Sequence, residues 1–156
     1  MTYTITGLDP APFAPLFDAD EARLAARGAR RLRATDSTGF PCRVSLEDAA
    51  EGEPLLLVNH VSNDVAGPFR TAHAIYVREG AKRAPPIHDR LPPMLDRRVI
   101  GLRAFAADGM LRRAVLAGQG EADGAIRALL SDEAIAYIHA HNAAYGCFLA
   151  GVERDA

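Results

Sequence analysis

VIGLRAFAADGMLRRAVLA, residues 99–117, carries the clearest fold signal in the chain. Two strand-like runs, Val99–Ala106 and Met110–Ala117, flank the dipeptide Asp108-Gly109. The tight turn that best matches the twist of paired strands needs positive φ at its centre, which Asp-Gly tolerates. The stretch therefore predicts a β-hairpin. Downstream, Glu121–Leu130 is a short helix placing Ile126, Leu129 and Leu130 on one side. A second hairpin follows, from Ala134–His141 through a turn at Asn142–Gly146 to Cys147–Arg154.

Upstream, residues 80 to 93 contain Pro85, Pro86, Pro92 and Pro93, which exclude a helix or central strand and predict a surface loop. Ala72–Glu79 alternates, with His73, Ile75 and Val77 on one face and Tyr76 and Arg78 on the other. Asn59–Arg70 is a polar loop closed by Gly67-Pro68, and Leu55–Val58 a short strand buried on both faces. Cys42, Val44 and Leu46 alternate with Arg43 and Ser45 as another strand, and Arg30–Thr35 supplies one more. Asp18 or Asp20 caps a helix that runs to Arg27 and stops at Gly28. Pro10, Pro12 and Pro15 keep the preceding segment extended, and Thr2–Leu8 is the opening strand. The expectation is one domain over 1–156, an α+β fold with a mostly antiparallel sheet of about eight strands and two short helices.

The composition sets limits on function. At 49% hydrophobic and 24% charged, 156 residues are those of an ordinary globular protein. No apolar run approaches the roughly 20 residues that span a bilayer, and the first residues carry no export signal, so membranes are not an expected partner and the cytoplasm is the expected location. Two cysteines, Cys42 and Cys147, are then expected as reduced thiols. A net charge of −2 provides no general field for nucleic acid. Seventeen of the eighteen Lys and Arg residues are arginine. Schiff-base chemistry is disfavoured when the lone lysine, Lys82, sits in a Pro-rich loop, whereas bidentate capture of carboxylate or phosphate stays open.

Three constellations carry chemistry. Arg43, Arg78 and Arg103 lie on strands and Arg70 just before one; arginines sharing a cavity would grip an anionic ligand by charge-assisted hydrogen bonds, with His139 and Asn142 adding to it. The competing reading is a solvated sheet face. Second, Cys147 is a candidate nucleophile with His139 or His141 as its base. Third, His139 and His141 share a strand face, and a hairpin would set Cys147 roughly opposite His141, giving three zinc-type donors. The common nucleotide, hydrolase and metalloprotease motifs do not occur, and the sequence leaves the cofactor unknown.

Several segments together resemble a bacterial family known only as domain of unknown function 1203. They are Pro41-Cys42-Arg43-Val44-Ser45-Leu46 with Asp48-Ala49 and Gly52-Glu53, then Gly67-Pro68-Phe69-Arg70 and Ile75-Tyr76-Val77-Arg78-Glu79. Leu102-Arg103-Ala104-Phe105 with Asp108-Gly109, His139-Ala140-His141-Asn142-Ala143 and Gly146-Cys147-Phe148 complete the pattern. The resemblance covers nearly the whole chain and implies a single-domain protein, with no family chemistry to carry over. The function expected is binding of a small anionic molecule, with a homodimer as the expected assembly. A Cys/His-dependent enzyme, with or without zinc, and a protein-binding module using the Pro-rich loop are the alternatives.

Overall fold

In the computed structural model, which describes residues 1–155, nine antiparallel strands form two sheets accompanied by four short helices. In chain order these are β1 (Tyr3–Thr6), α1 (Ala14–Phe17), α2 (Glu21–Ala26), β2 (Ala29–Arg33), β3 (Pro54–Asn63), β4 (Thr71–Arg78) and β5 (Ile87–His88). Then come α3 (Pro93–Asp96), β6 (Ile100–Phe105), β7 (Leu111–Ala117), α4 (Ala122–Leu130), β8 (Tyr137–Asn142) and β9 (Phe148–Arg154). The larger sheet has the order β5-β1-β9-β8-β6-β7 and the smaller β2-β3-β4.

The β6–β7 hairpin turns as its sequence dictates. Gly109 takes φ 80°, and the Asp108 carboxylate accepts from the Met110 N–H at 3.0 Å. α4 lays Ile126, Leu129 and Leu130 on the larger sheet against Ile100, Leu102, Ile138 and Val152. The smaller sheet buries Leu56, Val58, Ile75 and Val77 against Phe13, Leu16, Leu24 and Val44. α2 starts at Asp20, whose side chain accepts from the Arg23 N–H at 2.8 Å, and the chain leaves it through Gly28 at φ 62°.

The sequence expectations are corrected at five places. Cys42–Leu46 is not a strand: the Leu46 N–H turns back to the Cys42 carbonyl and Leu46 sits at φ 56°, so Arg43 is buried rather than facing out. Residues 59–63, read as loop, extend β3, because Asn63 is buried and bonded to the Tyr137 hydroxyl and the Phe69 carbonyl. The proline-rich segment 10–15 is not extended throughout but closes into α1, with Pro15 in the first turn, where a missing N–H costs nothing. The 80–93 loop contains β5, which exists only through its pairing with β1, and is followed directly by α3. Finally, a register shift after Ala140 sets Phe148, not Cys147, opposite His141.

Candidate functional site

The loop from Asp36 to Ala49 carries Arg43 and is held at both ends. The Asp48 carboxylate, nearly buried, accepts from Arg98 at 3.1 Å, and Pro41 bridges back to Asp48. Between these ties the Arg43 N–H donates to the Tyr76 carbonyl at 3.2 Å, pinning the loop to the outer edge of β4. The neighbouring Cys42 sulfur is fully buried and accepts from the backbone N–H groups of Ser45 and Arg78.

Arg43 is only 1% exposed. Its Nε donates to the Phe148 carbonyl at 2.7 Å, Nη1 to the Pro41 carbonyl at 2.6 Å, and Nη2 to the Cys147 sulfur at 3.0 Å. Among the described residues no carboxylate pairs with it, in contrast to Arg31, Arg78, Arg98 and Arg127. Burial pushes its pKa down from the ordinary guanidinium value, and the Cys147 sulfur opposes that push. A buried cation without a carboxylate is the most unusual electrostatic feature of the molecule, because burying a lone charge is costly.

Cys147 reaches this guanidinium from the turn between β8 and β9. The Asn142 side-chain oxygen accepts from the N–H groups of Ala144 and Tyr145, both at 3.0 Å, and Gly146 supplies φ 76°. The Gly146 carbonyl accepts from His141 Nδ1 at 3.0 Å, which places that proton on Nδ1. The turn therefore presents a partly exposed thiol beside a charge donated by a loop more than 100 residues away.

These parts enclose a cavity of about 770 Å3. Arg43, Arg98, Asn142 and Cys147 line it, together with Asp36 and with Ala72, His73, Ala74 and Tyr76 of β4. The volume falls in the range of small-molecule sites.

Not all of the arginines and histidines named from the sequence come to this cavity. Arg43, Asn142 and Cys147 do. Arg78 is engaged by Glu53 at 2.7 Å and Glu47 at 3.0 Å, and Arg70 pairs with Asp64 at 3.0 Å. Arg103 lies directly across from His139 in the β6–β8 ladder. His139 is packed among the rings of Phe105, Tyr137 and Phe148, and burial, reinforced by His73 and Arg103, holds its pKa at about 4. Cys147 is level with Asn142, three residues along the strand from His139, or about 10 Å at strand spacing. Among the described residues no cluster of three or more His, Cys, Asp or Glu side chains is arranged to hold a metal, so His139, His141 and Cys147 do not converge as donors.

Two contributors were not legible in the sequence. His73 is at the wall of the cavity, bonded to Ser62 at 2.8 Å, and its ring packs edge-on against His141. Arg98 also lines the cavity, held there by Asp48 and the Thr38 carbonyl. Neither has a local motif; each is brought in by sheet and loop packing.

The fold and cavity define a two-sheet α+β protein with a buried guanidinium–thiol contact beside a cleft of about 770 Å3. The chain belongs to the DUF1203 family of proteins of unknown function, whose family model matches residues 39–154. That span includes Arg43, β4, Asn142 and Cys147 and begins just before the Arg43 loop closes. Comparisons with curated proteins and with solved structures find no match. Among the described residues no helix is long and apolar enough to cross a membrane.

Proposed function

We propose that this protein binds a small anionic ligand in the cleft, with Arg43 as the cationic anchor. One observation carries the proposal: a guanidinium that is 1% exposed, borders the cavity and has no carboxylate partner among the described residues. Arginine does not shed its proton to escape burial. Three of its donors are spent on two carbonyls and a sulfur, and a ligand carboxylate or phosphate would meet the charge that the fold leaves unbalanced. Asn142 borders the same space, and with its side-chain oxygen committed to the turn its amide nitrogen is the group left to donate. Arg70 and Arg78 take no part, because each already has an acidic partner.

Thermal unfolding in the presence of phosphate, citrate and glutarate tests this. A ligand at 100 times its Kd adds about 2.7 kcal/mol of stability, enough for an unmistakable rise in Tm. The rise should vanish in Arg43→Gln and shrink in Asn142→Leu. If none of the three anions moves the wild-type Tm, the proposal fails.

A second reading follows from the 3.0 Å contact between Nη2 and Sγ: Cys147 reacts as a nucleophile, its thiolate supported by Arg43 rather than by a histidine. In this reading His73, which lines the same cavity as Cys147, takes the thiol proton in place of His139, whose ring is packed among Phe105, Tyr137 and Phe148. Alkylation by iodoacetamide much faster than free cysteine, lost in Arg43→Gln, would establish it.

A further inference from the structure

We propose that the ligand is a short, free, extended acidic peptide whose backbone pairs with the open edge of β4 at Ala72 and Ala74 while its carboxylate meets Arg43. This rests on the anion-binding reading of the cleft and names the class of molecule.

β4 is the outer strand of the smaller sheet. Two bonds fix which of its backbone groups face away from β3: the Arg78 N–H donates to the Cys42 sulfur at 3.3 Å, and the Tyr76 carbonyl accepts from the Arg43 N–H at 3.2 Å. Outward-facing residues alternate along an antiparallel strand. The β3–β4 register is unbroken from Arg78 back to Ala72. Ala74 and Ala72 therefore turn both N–H and C=O off the sheet. Among the described residues these groups meet no further backbone or side-chain partner, and both alanines border the cavity that holds Arg43 and Cys147.

The chain already uses this edge as a template. Cys42 pairs with Tyr76 in a parallel bridge, and the pairing stops where the cavity begins. A guest strand would continue the same edge. Nothing on that stretch blunts it: there is no lysine or proline, and the bulge at Val61/Asn63 lies beyond it. Main-chain hydrogen bonds supply such a guest's affinity and the charge at Arg43 its selectivity. The cavity of about 770 Å3, closed at one end by the Pro41–Arg43 segment, suits a short free peptide better than a strand of a folded partner.

The test is residue-resolved amide exchange by NMR. The probe is a mixture of acetylated tripeptides, randomised at two positions and ending in glutamate; glutarate is the carboxylate-only control. At nine-tenths occupancy the mixture should slow exchange at Ala72 and Ala74 about tenfold. Glutarate should perturb Arg43 without protecting those amides. Ala74→Pro removes an outward N–H at an edge position where proline is tolerated, so the variant should keep glutarate and lose the mixture. Should that variant not fold, the mixture methylated at its peptide nitrogens takes its place and should give no protection. Glutarate binding without protection by the mixture, or equal protection by methylated and unmethylated mixtures, overturns the peptide and leaves the anion site standing. Binding of neither probe removes both.

Discussion

The guanidinium Nη2 of Arg43 lies 3.0 Å from the sulfur of Cys147, though 104 residues separate them in sequence. The contact joins the Asp36–Ala49 loop to the β8–β9 turn, and with Arg43 Nε on the Phe148 carbonyl it fastens the smaller sheet's loop to the larger sheet. The same side chain therefore serves as a structural tie and as the positive pole of the cleft.

Removal of that tie should be costly. Arg43→Ala leaves the Phe148 and Pro41 carbonyls without their donors and opens a void, for a loss of about 2–4 kcal/mol. Arg78→Ala, at a half-buried bidentate pair with Glu53, should lose less, about 1–2 kcal/mol. Urea unfolding of both variants gives the comparison; similar losses would mean that Arg43 is not the tie described.

The two thiols should behave differently. Cys42 is buried with its sulfur occupied by two backbone donors, whereas Cys147 borders the cleft. Native protein should take up one equivalent of iodoacetamide, located at Cys147 by peptide mass, and a second only in urea. Cys147→Ser should abolish the native reaction. Labelling of Cys42 first would contradict the arrangement.

Stability should fall with acid before the carboxylates titrate. Burial holds His139 and His141 at pKa values of about 4, against 6.5 ordinarily, and nearby Arg103 and His73 add to the effect. The unfolded chain takes up these protons first as the pH drops. Stability is thus complete above about pH 6.5 and is lost progressively towards pH 4, by at most about 1.4 kcal/mol per histidine per unit of separation. Urea midpoints should decline between about pH 7 and 5, and His139→Phe, seated among Phe105, Tyr137 and Phe148, should flatten the decline. A constant wild-type midpoint over that range would refute this account.

Gly7 is predicted to be intolerant of any side chain. A Cβ there would overlap the Val44 carbonyl oxygen, in the loop that bears Arg43. Gly7→Ala should therefore cost about 2 kcal/mol or more and displace the loop, weakening anion binding as well. Gly28→Ala, at φ 62° but with open space around it, should cost about 1 kcal/mol and leave binding unchanged. Thermal unfolding with and without citrate separates the two.

Local chemistry set much of this architecture. Asp108-Gly109 fixed the β6–β7 turn, the Asp20 cap and Gly28 bounded α2, and the alternation of His73, Ile75 and Val77 put those three on one face of β4, because each signal acts over a few residues. The family pattern was legible too, since the order of its segments is linear information. What needed the folded chain was every relationship across distance. β5 pairs only because β1 is beside it, and Cys42–Leu46 alternates like a strand yet turns back on itself to fit between β4 and the 80s loop. Arg43, read as a strand arginine that either shares a cavity or faces solvent, became the buried cation of a cleft, while three other arginines that looked equivalent did not enter it. Period and composition report which side chains prefer burial; only packing of one sheet on the other decides which charge is left without a partner.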